Sequence, residues 1–343
     1  MQKINFTDTF NLLSKMTLPR ILNAVKLHAS FNLSRLFSRP IVWGVPISVS
    51  IEPGTACNLS CPECPSGLKS FRRPTGTIRT DSFKDKVDGL YKKSVYLNFY
   101  FQGEPFLHKK FLEMVSYASS KGMYTATSTN AHFFDSEMAR KTIQSGLDRL
   151  IVSIDGITQD TYEQYRIGGD LSKVMEGVAN LIFWKRKLKR KTPMIVFQYL
   201  VVKHNEHEIE NAKLLAEELG VDDIWFKTAQ VYDYKNDPNK LIPSIDKYSR
   251  YKKSSDGIMM VKSNMKSHCW KLWQSNVITW DGKVVPCCFD KDANHILGNL
   301  NESSMEEIWK NSKYKSFRNE LSKSRKNIDI CSNCSEGIKV WAT

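Results

Sequence analysis

The sequence predicts an α/β protein: a partial six-stranded parallel barrel, a (β/α)6 core, followed by a small cysteine-rich domain. Three observations predict it. Between residue 46 and residue 230, short runs rich in β-branched and aromatic residues alternate with amphipathic helical patterns. Gly122, Gly146 and Gly220 close three of those helical stretches. Five of the eight cysteines fall after residue 268, beyond the point where the alternation stops. Six strand–helix units in about 180 residues are too few for a closed eight-stranded barrel, and a partial barrel accommodates them.

The elements follow in order. Residues 1–45 form a basic amphipathic segment in which Leu12, Leu13, Met16, Leu18, Ile21, Leu22, Val25 and Leu27 fall near helical spacing. Pro19 must break or start a helix there. Such a face suits the main domain, which most often covers it, or a membrane surface. Strands are expected at Pro46–Ile51, Val95–Phe101, Tyr124–Ser128, Leu150–Ile154, Ile195–Val202 and Asp223–Lys227. Helices are expected at Phe83–Leu90, Phe111–Ser120, Ser136–Ser145, Val174–Lys187 and Glu206–Leu219. Four segments result: 1–45, a core at 46–230, an irregular linker or substrate-covering segment at 231–268, and a cysteine-rich domain at 269–343.

Composition narrows the function. The chain of 343 residues is 41% hydrophobic, enough for a full core. No apolar run approaches membrane-spanning length and no signal-peptide core is present, so a cytoplasmic location is expected. Eight cysteines in a reducing compartment argue for metal binding rather than disulfides. The net charge of +14 points to an anionic partner. Clusters at Lys185–Lys191 and along Lys310–Lys326 read as solvated helix faces, and no nucleic-acid-binding motif accompanies them.

The most informative run lies between Glu52 and Cys64. Cys57, Cys61 and Cys64 stand at x3 then x2 spacing on one loop after the first strand. Soft thiolates so spaced suit an iron–sulfur cluster, and three ligands leave one iron of a four-iron cluster open to a small molecule. A structural zinc site is the other reading, but it wants four ligands, commonly in paired C-x2-C knuckles. The second strand ends in Gly103, Glu104 and Pro105, where a glycine admits backbone to a ligand and a carboxylate can meet an ammonium group. Ser128 and Asn130 end the third strand, though ordinary turn chemistry also explains them. Ser153 and Asp155 end the fourth, with Arg166 eleven residues on from Asp155.

This ordered set resembles the radical S-adenosylmethionine (SAM) superfamily over roughly residues 46–343. The resemblance implies a [4Fe–4S] cluster on Cys57, Cys61 and Cys64, with SAM on the open iron. It implies SAM contacts from Gly103, Glu104, Ser128, Asn130, Ser153 and Arg166, and makes Asp155 the candidate catalytic carboxylate. Two positions depart from the usual pattern. Gln102 stands where relatives commonly have a further glycine, and Glu63 where many have an aromatic residue near the adenine.

The C-terminal cysteines add a second site. A hairpin turn at Trp280–Lys283 would return Cys287 towards Cys269, and Cys331 and Cys334 complete four thiolates for a closed site. Zinc can also occupy such a set. The layout resembles a shortened SPASM, or twitch, domain with one auxiliary [4Fe–4S] cluster; Cys288 is left without a place.

The resemblance implies reductive cleavage of SAM to a 5′-deoxyadenosyl radical, which abstracts hydrogen from an unactivated C–H bond. A one-electron donor such as flavodoxin or ferredoxin is then required. The expected substrate is a small molecule such as a sugar, aminocyclitol or nucleotide-linked sugar, oxidised or epimerised, and an anionic one would suit the net charge. A peptide maturase is the second reading, although the 56 residues ahead of Cys57 leave little room for a leader-recognition domain. A non-enzymatic metal-binding scaffold is the third, and Glu104, Asp155 and Arg166 at strand ends argue against it.

Overall fold

The computed structural model describes residues 5–262 and 267–334, and the backbone of 341–342. Parts of three expected segments, at residues 1–4, 263–266, 335–340 and 343, lie outside the described residues. Two helices, α1 (Phe6–Ser14) and α2 (Leu18–Phe37), come first. The strand β1 (Ser48–Ile51) leads into the cysteine loop, a short α3 (Pro65–Leu68) and α4 (Thr80–Leu90). The core continues through β2 (Tyr96–Asn98), α5 (Phe111–Ser120), β3 (Tyr124–Thr129), α6 (Ser136–Gln144), β4 (Arg149–Ser153) and α7 (Gln159–Tyr165). It closes with α8 (Leu171–Lys187), β5 (Met194–Val201), α9 (Ile209–Leu219) and β6 (Asp223–Thr228). Beyond it lie β7 (Tyr251–Lys253), β8 (Met259–Val261), α10 (Lys271–Gln274), β9 (Ser275–Ile278), β10 (Lys283–Val285) and β11 (Gly298–Asn299). Last come α11 (Met305–Lys310), α12 (Ser312–Lys323), α13 (Asp329–Ser332) and β12 (Trp341–Ala342).

Strands β1 to β6 pair in sequence order, each parallel to the next. β1 and β6 do not pair with each other among the described residues, so the curve stays open, as the strand count predicts. Strands flanked by helices bury both faces: Val49, Leu97, Ala126, Leu150, Val152, Ile195 and Phe197 have no exposed surface. The helices begin where the sequence supplies caps. Asp135 accepts from the Met138 amide, and Asp170 from the Ser172 and Lys173 amides.

Four features differ from expectation. β2 ends at Asn98 rather than Phe101, because the chain leaves the sheet to dock on the cysteine loop. The segment read as irregular holds an antiparallel pair, β7 with β8. The cysteine-rich domain shares the core's sheet: β9 lies parallel to β1, with Ser48 opposite Ser275, and β10 and β11 extend the edge. Its hairpin turns at Gly282 with φ +90°, a conformation glycine adopts without strain. Finally, α2 turns its expected apolar face outwards. Leu27 is buried, but Leu18, Ile21, Leu22 and Val25 are exposed, because Arg20, Asn23, Ser30 and Ser34 take the inner face.

Candidate active site

Every strand-end residue singled out in the core, Asp155 excepted, lines one cavity at the carboxyl ends of the parallel strands. Cys57, Cys61, Cys64, Gly103, Glu104, Ser128, Asn130, Ser153 and Arg166 are all in its wall. Parallel α/β folds gather reactive groups at that end, because the loops there converge from successive strands.

The cysteine loop is held from two sides. Glu52 at the end of β1 is fully buried and takes two bonds from Arg73, at 2.8 and 2.5 Å, and a third from the Trp280 amide at 3.2 Å. Arg73 also donates to the Lys291 carbonyl at 2.8 Å, so one ion pair ties the loop to the cysteine-rich domain. On the other side, the Glu104 amide donates to the Ala56 carbonyl and the Gly103 amide to Ser66 Oγ, both at 2.8 Å. Gly103 has φ +77°, and a Cβ there would stand 2.3 Å from the Gly54 carbonyl oxygen. Only glycine fits this approach.

Glu104 is buried, and burial raises its pKa to about 7. Its Oε1 accepts from Thr129 Oγ1 at 2.8 Å and the Phe106 amide at 3.1 Å; Oε2 accepts only from the Asn130 amide at 2.8 Å. A carboxylate oxygen has two acceptor positions, so Oε2 retains one for a ligand's ammonium group. Asn130 donates to Asn58 Oδ1 at 2.7 Å and approaches Cys57 Sγ at 3.9 Å. Ser128 and Ser153 join side chains at 3.2 Å across β3 and β4.

Arg166 donates through Nε to Asp155 Oδ2 at 2.5 Å and through Nη1 to Cys61 Sγ at 3.7 Å. Asp155, the candidate catalytic group, has no exposed surface and is absent from the cavity wall. Its other oxygen accepts from the Leu200 amide at 2.7 Å. Its geometry is that of a group that aims Arg166, not one that meets a reactant. The two departures from the family pattern also find roles. Gln102 is buried with Oε1 4.0 Å from Cys64 Sγ, and Glu63 accepts from the Tyr232 amide at 2.8 Å, anchoring the covering segment.

Strand-end reasoning missed one part of the wall. Lys227 on β6, Arg250 in the covering segment and Lys291 in the cysteine-rich domain all line the same cavity. Burial, with Arg250 next in size, lowers the Lys227 pKa to about 8. Arg250 Nε donates to Thr228, while its buried Nη1 has no partner among the described residues. No motif marks these residues, since they come together only across three separate segments.

In the C-terminal domain, Cys287 and Cys331 each stand close enough to Cys269 and Cys334 to feel their charge. Burial pushes Cys331 up to about 12, as it pushes Cys57 in the core up to about 11. Cys288 is exposed; its charge is the leading one felt by Cys287, and Lys227, Lys291 and Tyr100 feel it too. The donor chemistry fits soft metal clusters in both places, since buried thiols without disulfides can give up their protons to iron. Among the described residues, no three such side chains crowd together as they would around a single metal ion.

Comparison with known proteins decides the family. The radical SAM superfamily model matches residues 51–216, and the SPASM iron–sulfur cluster-binding domain model matches residues 269–335. The chain belongs to the radical SAM superfamily. It is therefore an enzyme of that superfamily, with a four-iron cluster that works with SAM and an auxiliary iron–sulfur domain. The tungsten-containing aldehyde ferredoxin oxidoreductase cofactor-modifying protein of Pyrococcus furiosus is 25% identical over 78% of this chain and 82% of its own. The structure of BtrN with AdoMet and 2-DOIA is 18% identical, with a TM-score of 0.52, over 85% of this chain and 94% of that one. Streptococcus suis SuiB bound to S-adenosylmethionine is 13% identical, with a TM-score of 0.63, over 93% and 78%. These two structural likenesses establish the shared fold.

Proposed function

We propose that this radical SAM enzyme abstracts hydrogen from a small anionic substrate, a sugar phosphate or nucleotide-linked sugar, leading to oxidation or epimerisation. When bound, the cluster at Cys57, Cys61 and Cys64 supplies the electron that cleaves SAM to a 5′-deoxyadenosyl radical. Around it the chain's own residues bind and orient. Glu104 accepts the SAM ammonium at its open Oε2 position, and Arg166, aimed by Asp155, meets the carboxylate. Ser128, Asn130 and Ser153 offer hydroxyls and an amide to the ribose side. Cys269, Cys287, Cys331 and Cys334 would hold one auxiliary cluster in a closed site.

The observation that carries the substrate class is the cationic wall. Arg166, Lys227, Arg250 and Lys291 line the cavity against two carboxylates, Glu63 and Glu104. Asp155 engages Arg166, whereas the buried Arg250 Nη1 is unbonded among the described residues. A buried guanidinium nitrogen without a partner is costly, and an anionic ligand removes that cost. BtrN, crystallised with 2-DOIA, supports a small molecule. SuiB, crystallised elsewhere with a precursor peptide, and the PqqA peptide cyclase of Bradyrhizobium diazoefficiens, 24% identical over 56% of this chain and 49% of its own, support the second reading, a peptide substrate.

Hydrogen transfer separates the two. Reconstituted enzyme is incubated anaerobically with SAM, dithionite and a panel of sugar phosphates and nucleotide-linked sugars deuterated on the sugar. Deuterium is expected in 5′-deoxyadenosine from at least one panel member. Incorporation only from deuterated peptides would move the assignment to a peptide maturase.

A further inference from the structure

The helix α2 is built inside out, and both of its faces have a stated chemistry. Its inner face is specific and polar. Arg20 donates to the carbonyls of Lys15 and Gly122 at 2.6 Å and of Tyr91 at 2.6 and 2.9 Å, serving chain ends just beyond α4 and α5. Asn23 bonds to Val45 in both directions and to the Lys93 carbonyl at 3.1 Å. Phe31 packs against Trp270 and Trp273, with ring centroids 5.1 and 5.5 Å apart. These contacts fix which side of the helix faces out.

The outer side is apolar. Leu18, Leu22, Val25 and Leu36 are 69, 51, 60 and 73% exposed, and half-buried Ala29 and Leu33 fill the gap between the last two. The spacing of three and four residues makes one unbroken stripe. On α1, Phe6, Phe10 and Leu13 follow the same spacing, with Phe6 81% exposed. No helix among the described residues is long and apolar enough to cross a membrane.

Charge around the stripe has one sign. Asp8 is the single acid before Glu52; it is buried and paired with Arg149. Lys26, Arg35 and Arg39 are exposed. Phe6 and Phe10 also line a cavity of about 810 Å³ together with Arg190 and Lys191. The acids in that cavity are already engaged: Asp148 by Lys15, Asp222 by Lys185 and Asp8 by Arg149. Arg190 and Lys191 thus have no carboxylate of their own among the described residues.

We propose that α1 and α2 seat the protein on the surface of an anionic lipid bilayer. The apolar stripe lies in the boundary between headgroups and acyl chains, with the cations at the lipid phosphates. A second copy of the chain fits this surface less well, since pairing two stripes would bring Lys26, Arg35 and Arg39 of both copies together without a countercharge.

The test is vesicle flotation of the full-length, anaerobically reconstituted protein. Binding to phosphatidylglycerol–phosphatidylcholine vesicles is expected to be at least about tenfold tighter than to phosphatidylcholine alone, and to weaken with salt. Leu22→Asp with Val25→Asp should cut binding by at least about tenfold and leave circular dichroism and SAM cleavage unchanged. Arg190→Glu with Lys191→Glu, which lies outside both helices, should also cut binding and so keeps the test informative if the first variant misfolds. No flotation of the wild type with anionic vesicles, or flotation of both variants equal to that of the wild type, overturns the proposal. A wild-type dimer in solution that Leu22→Asp with Val25→Asp dissolves also overturns it, in favour of self-association.

Discussion

The three thiols of the β1 loop line a cavity, whereas the C-terminal thiols are absent from its wall. Cys57, Cys61 and Cys64 share their wall with Glu104, Asn130 and Arg166, groups suited to a charged small molecule. Cys287 feels the charges of Cys288, Cys334 and Cys269, and Cys331 those of Cys334, Arg325 and Cys269, on a domain whose hairpin is welded to β1. Burial raises the thiol pKa values of Cys57 and Cys61 in one set and of Cys287 and Cys331 in the other, so burial does not separate them. Coordination does. A three-thiol loop leaves a ligand position open, and a four-thiol set closes its site. On the proposed ligand assignment, the same residue type would serve SAM cleavage in one place and electron transfer or structure in the other.

The largest effect should come from the open set. Replacing Cys57, Cys61 and Cys64 by Ala should remove about half of about eight irons and abolish 5′-deoxyadenosine formation, measured by iron assay and chromatography. Retained cleavage would erase the distinction between the two sets. Next is the closed set. Cys331→Ala with Cys334→Ala should let dithionite-reduced enzyme still make 5′-deoxyadenosine while product formation is lost. Loss of cleavage in a folded variant would mean that the two sites do not act separately.

Smaller effects sharpen the open site. Arg166→Ala and Glu104→Ala should each weaken SAM binding by about tenfold or more, since each leaves a charged ligand group unpaired, with iron content near wild type. Asp155→Asn should weaken SAM binding in the same direction but leave turnover at saturating SAM largely intact, as a positioning group would. A large fall in turnover with unchanged SAM affinity would instead make Asp155 a reacting group. The smallest expected effect is Cys288→Ala, which should keep full iron while Cys287→Ala loses the auxiliary cluster. The reverse pattern would shift the ligand assignment by one residue.

Much of this contrast was legible in the sequence because it rests on spacing. Cysteines three and two residues apart on one loop must be neighbours, and a Gly-Glu turn after the next strand must lie at the same sheet edge. Strand and helix positions followed from periodicity, as the in-order pairing of β1 to β6 bears out. Asp155 was harder. Its position at a strand end is local, but only packing decides that Arg166 stands between it and the cavity.

The sequence alone determined the alternating α/β core, the three-cysteine loop, the polar groups at the strand ends and the C-terminal cysteine set, each legible from local spacing. Tertiary structure alone decided three other matters. It joined β9 to β1 in one sheet, gathered Lys227, Arg250 and Lys291 from three segments, and turned the apolar stripe of α2 outwards. The physical reason is common to all three. Long-range pairing depends on which surfaces meet, and for α2 the hydrogen bonds of Arg20 and Asn23 outweighed the burial that its leucine pattern would ordinarily demand.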